Sequence, residues 1–226
     1  MHKIYIVLFT FLFSSGLWAQ KDSLQLGDKY AEDQLYISLT YGQLTNQPAG
    51  VLKSNFSYAF STGFIKDFIL NKRGSVSIAG GLGVNYNSFN HSLRVDEVNG
   101  NTTTFSIDNA ITSNSFNTFN LELPLELRWR TSTAQKFSFW RIYTGVKLLY
   151  NLSNTFSFVD SNEAEISYNN VSAYNNLQLG LTLSAGYDAF NIHAFYGLSP
   201  IFKDANLNGV AIHTKILQFG LIYYLL

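Results

Sequence analysis

The chain has 226 residues, no cysteine, and 15 basic residues balanced by 15 acidic ones. The missing thiols exclude a disulfide framework, a thiolate metal site and a cysteine nucleophile, and the balanced charge gives no field to attract nucleic acid. Charged residues are only 13% of the chain and aromatic residues 16%, which is poor in charge and rich in rings for a surface meant to face water.

The first twenty residues, MHKIYIVLFTFLFSSGLWAQ, carry Lys3, an apolar run from Ile4 to Phe13, and small residues ahead of Ala19. This pattern predicts a secretory signal peptide over residues 1–19, cleaved before Gln20. The apolar run falls well short of the ~20 residues that a membrane-spanning helix needs. A polar periplasmic linker is expected over 20–34, and a single β domain over 35–226.

From residue 35 onward, apolar and polar residues alternate with a period of two, the signature of strands with one oily face. Eight such segments recur. The first is LYISLTY, starting at Leu35, with Tyr41 on its apolar face. In the second, Phe56, Tyr58, Phe60 and Phe64 oppose Ser57, Ala59, Ser61 and Gly63. In the third, Val76, Ile78, Leu82, Val84 and Tyr86 oppose Ser77, Ala79, Gly81, Gly83 and Asn85. The fourth, LELPLELRWR, sets Leu121, Leu123, Leu125, Leu127 and Trp129 against Glu122, Pro124, Glu126, Arg128 and Arg130. Pro124 lacks a ladder donor, so a local bulge or kink is expected there. The fifth sets Trp140, Ile142, Val146, Leu148 and Tyr150 against Arg141, Tyr143, Gly145 and Lys147. The sixth sets Leu177, Leu179, Leu181, Leu183, Ala185 and Tyr187 against Gln178, Gly180, Thr182 and Ser184. The seventh, NIHAFYGL, is weaker, and the eighth closes the chain as QFGLIYYLL, with Tyr223 outward.

The connections alternate in length. Those over 87–115 and 152–173 are long, whereas KDFILNKRG, TSTAQK and the link at 188–190 are short. Long at one end and short at the other predicts an all-β, antiparallel, up-and-down transmembrane β-barrel with short periplasmic turns and longer external loops. Two aromatic girdles are expected: Trp129, Trp140, Tyr187 and Tyr223 at the periplasmic rim, and Tyr41, Phe56, Tyr86 and Tyr150 at the other. The charges of the inward faces, Glu122, Glu126, Arg128, Arg130, Arg141 and Lys147, are expected to form a salt-bridged network that plugs the lumen, because small barrels fill their interiors with side chains. A regular hairpin across the TSTAQK turn would face Glu126 with Arg141 and set Lys147 diagonal to Glu122. Inward glycines and serines on the second, third and sixth strands leave room for a cavity, so a small-ligand-binding barrel is the alternative. The four histidines, His2, His91, His193 and His213, have no metal-ligand spacing, and no metal or cofactor is expected. His91 and Ser92 are where a lipid-modifying enzyme of the rim would place its chemistry, but no base and orienting acid can be assigned. The expectation is a non-enzymatic barrel.

The Ala19-Gln20 junction, the stretch Asn120-Leu121-Glu122-Leu123-Pro124-Leu125-Glu126-Leu127 and the apolar closing strand together resemble the outer-membrane β-barrel proteins of Bacteroidetes often labelled PorT-like. The resemblance implies an eight-stranded barrel in the outer membrane of a Gram-negative bacterium. It carries over no catalytic residues, and it implies a structural or interaction role through the external loops. Gln218, Gly220, Tyr223 and Leu225 are similar to the closing-strand signal of barrel proteins, although the chain ends on Leu226 rather than an aromatic residue. That implies contact with the barrel assembly machinery during biogenesis. Outer-membrane lipid and an envelope protein are the other partners expected, and nucleic acid is not.

Overall fold

A computed structural model describes residues 33–51, 56–98, 102–108, 111, 113–131, 140–160 and 163–225. The expected signal peptide, nearly all of the linker and residues 132–136 of the TSTAQK turn lie outside them. Among the described residues there are strands and no helices: β1 (Gln34–Thr45), β2 (Tyr58–Ile69), β3 (Val76–Asn90), β4 (Leu93–Val98), β5 (Thr102–Ile107), β6 (Ser113–Arg130), β7 (Trp140–Val159), β8 (Glu165–Asn169), β9 (Leu177–Tyr187), β10 (Phe190–Gly197), β11 (Asn206–Leu207), β12 (Val210–Ala211) and β13 (Lys215–Leu225).

Eight of these strands close on themselves in the order β1-β2-β3-β6-β7-β9-β10-β13, every pairing antiparallel. The ring is completed where β13 pairs with β1, from Leu35↔Leu225 to Thr45↔Lys215. Closure removes every edge from the wall, so all its backbone groups can pair within the protein, which hydrocarbon requires of a spanning sheet. Along each wall strand, buried inward residues alternate with outward apolar ones such as Leu39, Leu125, Leu181, Ile192 and Leu221.

Aromatic rings mark both ends of this apolar band. At the short-turn end Trp140 meets Tyr187 with ring centroids 5.6 Å apart, Phe190 meets Tyr223 at 4.7 Å, and Trp129 is exposed beside them on the wall. At the other end Tyr41 lies 6.0 Å from Phe56 and Tyr58 lies 6.3 Å from Tyr86, while Tyr150 is exposed between Leu121 and Leu177.

Beyond the second girdle the structure departs from the expected loops. β6 has 18 residues and β7 has 20, about twice the 9–11 that a tilted strand needs to cross hydrocarbon. The register shifts between Phe119 and Asn120, where Phe119 pairs with Ser153 and Asn120 with Asn151, leaving Leu152 as the extra residue of a bulge. The bulge inverts the parity of β7: before it the even positions face out, and after it Ser153, Thr155 and Ser157 do, with Phe156 and Phe158 turned inward. A strand with apolar-in, polar-out alternation reads in sequence as the end of a wall strand. The segments 87–115 and 152–173 therefore contain strand extensions, the β4–β5 hairpin and β8 rather than open loops.

The register also bears on two further expectations. At Pro124 there is no bulge: the β3–β6 ladder is interrupted between Gly80↔Leu125 and Gly83↔Glu122 but resumes in the same register. The missing donor costs one local gap on the β3 side, and Pro124 stays paired with Lys147 on the other. The hairpin of β6 and β7 also has a different register. Arg130 pairs with Arg141 and Glu126 with Gly145, so Glu126 and Arg141 do not face each other, because β7 starts four positions further along than a regular six-residue turn would set it.

Candidate functional site

The lumen is filled in layers. Nearest the short turns lies a cluster built around Asp67, whose side chain is wholly buried. Its Oδ1 accepts from Arg128 Nη1 at 3.0 Å and Ser77 Oγ at 3.2 Å, and its Oδ2 pairs with Arg130. Arg128 also donates through Nε to Glu126 at 2.9 Å and through Nη1 to Gln34 at 3.2 Å, and Arg130 Nε donates to the Gly74 carbonyl at 2.9 Å. The turn carbonyl is presented by Gly74 in the left-handed region at φ 71°, which a residue with a Cβ adopts only with strain. The Arg128 guanidinium lies 4.5 Å from the Tyr143 ring centroid and 5.6 Å from that of Tyr224, and the Arg141 guanidinium lies 5.9 Å from the latter. These flat ring faces attract cations that have left water.

One layer deeper sits Glu122, fully buried. It accepts from the Tyr36 hydroxyl, from Ser61 Oγ at 3.2 Å and from Lys147 Nζ at 3.0 Å. The six charges singled out in the sequence are thus all inside the barrel, five of them in two groups: Glu126, Arg128 and Arg130 around Asp67, and Lys147 on Glu122. Arg141 lies under Tyr224. Asp67 was hidden because outward Lys66, 58% exposed and 3.3 Å from Asp33, interrupts the apolar face and makes KDFIL read as a turn. The inward parity of Ala59, Ser61, Gly63 and Ile65 would have extended to it.

The space at inward Gly63, Gly83, Gly180 and Gly42 is filled by side chains from other strands. A Cβ on Gly63 would lie 2.6 Å from the Tyr36 hydroxyl, and one on Gly83 would collide with the same atom. Those two positions are the slot through which Tyr36 reaches Glu122. Gly180 in the same way admits the ring of Phe195, and Gly42 that of Phe89.

Above Glu122 runs a layer of amides and hydroxyls. Asn85 donates to Ser61 (3.0 Å), Asn87 to Asn85 (2.7 Å) and Thr118 (2.9 Å), and Gln218 to Asn87 (2.8 Å). Asn120, Asn151 and Asn154 continue the chain at 2.8–2.9 Å, and Asn154 Oδ1 accepts the amide of Val171 beyond the wall. On the other side of the lumen Ser184 Oγ and His193 Nδ1 are 2.7 Å apart. Both are buried.

The long-connection end is closed by a cap with its own apolar core, including Phe89, Leu93, Val95, Phe116, Phe156 and Phe202. Phe116 and Phe156 stack at 4.1 Å, and Phe105 meets Phe202 edge-on at 4.9 Å. The β4–β5 hairpin is tied down where Asn114 Nδ2 donates to the Leu93 carbonyl (2.8 Å) and the amide of Ala173 donates to Thr103 Oγ1 (3.1 Å). Arg94 covers the Phe158 ring and is gripped by Asp96 (2.7 Å) and Asp108 (3.0 Å), whose hydrogen bonds raise its pKa further above the ordinary value. His91 is buried in this core. No cluster of three or more metal-ligating side chains occurs among the described residues.

The closed wall, two girdles and polar filled lumen have a counterpart among known sequences: residues 18–203 match the outer membrane protein β-barrel domain. The chain belongs to that family. No protein of curated function matches it significantly. Among solved structures it is similar to Ail, the attachment invasion locus protein of Yersinia pestis, at 12% identity over 86% of this chain and 97% of that one, with a TM-score of 0.42. A second structure of Ail, in complex with the heparin analogue sucrose octasulfate, has 13% identity, the same coverage and the same TM-score. A structure from work on asymmetric conductivity of engineered proteins has 8% identity over 87% of this chain and 100% of that one, with a TM-score of 0.22. None of these structural likenesses bears on function. Membership of the family places the barrel in the outer membrane.

Proposed function

We propose that this is a non-conducting, non-enzymatic outer-membrane barrel whose folded cap stands outside the cell as an interaction platform. The observation that carries this reading is the division of the chain: the wall encloses side chains from the Asp67 cluster to the amide layer, while β4, β5, β8, β11 and β12 build an ordered body beyond the second girdle. A filled lumen offers no path and no substrate cavity. A cap with its own core presents a fixed surface, which lowers the ordering cost of binding.

The orientation belongs to the same proposal: short turns and both chain ends in the periplasm, long connections outside, after export of a Gram-negative precursor and cleavage of its signal peptide. The narrower PorT-like kinship rests on the Asn120–Leu127 stretch. Lipid around the wall and the assembly machinery acting on the closing strand are the partners this reading calls for. The chain has no native cysteine, so single cysteines report cleanly. Thr104→Cys and Ser167→Cys in the cap are expected to react with a membrane-impermeant maleimide on intact cells, and Lys72→Cys in the β2–β3 turn only after lysis. Labelling of Lys72→Cys alone on intact cells would reverse the orientation.

A further inference from the structure

His91 is the first residue after β3, five positions past the girdle residue Tyr86, and it stands where the separate pieces of the cap meet. Its amide donates to the Asn114 carbonyl at 3.1 Å, and the rings of Phe116 and Phe156 approach it edge-on at 6.2 and 6.1 Å. Leu44 from β1, Val51 from the first connection, Leu93 from β4, and Ile201 and Phe202 from the last connection complete a cavity around it that leaves ≈ 10 Å³ for the centre of a water molecule, about one water's worth. Gln47 and Thr214 are the other polar residues of its lining. His91 Nε2 and Thr214 Oγ1 are both buried without a hydrogen-bond partner.

Among the described residues, nothing charged lines that cavity. On β4, Arg94 is engaged by Asp96 and Asp108, and Glu97 accepts from Thr103. In and beside the last connection, Lys203, Asp204 and His213 are exposed and Lys215 is half-buried. Asp160 follows β7 outside the lining, and the charges of β6 and β7 lie in the lumen below the amide layer. β1 and β3 carry no charge. A cation formed at His91 therefore has no charged partner waiting for it.

We propose that His91 is an acid-sensitive latch of the cap: neutral, it seats the β4–β5 hairpin and the last connection against β6 and β7, and protonated it releases them. Burial pushes the imidazole down to about 4 from its ordinary 6.5, against the opposing effect of its hydrogen bond with the Leu93 backbone. In an opened cap the imidazole returns to its ordinary value. Between the two values the open state binds the extra proton. The latch is thus fully effective above pH 6.5, weakens as the pH falls, and has lost its contribution below about pH 4. Linkage allows up to tenfold per pH unit, or about 300-fold in the opening equilibrium across that window.

The test is hydrogen–deuterium exchange of the refolded full chain in detergent micelles between pH 7 and pH 3.5, corrected for intrinsic exchange rates. The β4–β5 amides are expected to lose protection by up to about 300-fold as the pH drops from 6.5 to 4, while β9 and β10 keep theirs. His91→Phe and His91→Gln, two non-titrating replacements of different polarity, should flatten that profile. Should neither variant fold, the imidazole resonance of the wild-type chain gives the answer: a midpoint near 4 supports the latch and one at 6 or above overturns it. A flat wild-type profile overturns it too. So does an acid loss that survives in the variants, which would assign the effect to Asp96 and Asp108.

Discussion

Asp67→Leu is expected to destabilise the folded barrel by about 3–5 kcal/mol, the usual cost of leaving a buried charge without its partner. Asp67 neutralises two guanidiniums at once, and neither it nor Arg128 nor Arg130 has any side-chain surface in contact with solvent. Arg128 retains Glu126 at 2.9 Å, whereas Arg130 loses its pairing with Asp67. The double change Asp67→Leu with Arg130→Leu should therefore recover much of the loss. Urea titration of the protein folded into lipid vesicles measures both. A loss below about 1 kcal/mol for the single change would mean that water reaches this end of the lumen.

Leu125→Arg is expected to cost about 2–4 kcal/mol in the same titration, and Leu121→Arg about 0–1 kcal/mol. Leu125 is 57% exposed on the middle of the wall, between Gly80 and Val146. Leu121 pairs with girdle residue Tyr150, so an arginine there reaches the interface with its long stem. Equal costs at the two positions would mean that the outward face does not meet a bilayer whose polarity changes with depth.

The wall was legible because hydrocarbon demands the same thing of every strand. Leu35, Leu39 and Leu181 must all face out, and the strict period of two survives even where the inward residue is Arg128 or Gly83. Register was not legible. Glu126 and Arg141 have the right charges and parity, but the turn between them decides which residues face each other, and a shift of four leaves the parity untouched. Lys147 reaches Glu122 all the same, because in the observed register Lys147 pairs with Pro124 and Glu122 is its diagonal neighbour.

The cap was hidden for a different reason. Past Leu152 the bulge inverts the parity of β7, so Phe156 and Phe158 turn inward and Ser153 and Thr155 outward, and a rule built on outward apolar residues stops there. Glycine misled in the opposite sense. Gly63 and Gly83 suggested space, whereas the space belongs to Tyr36, a residue on another strand whose inward direction alone does not reveal how far its hydroxyl reaches.

The filled lumen is tested most directly by recording the purified, refolded barrel in a planar lipid bilayer. With side chains from Asp67 and Arg128 through Glu122 and Asn87 to Phe116 closing the interior, insertion should leave the baseline current unchanged, with no steps at any applied voltage. Reproducible current steps that grow with salt concentration would contradict it, since they require an open aqueous path where the structure has a salt-bridged core.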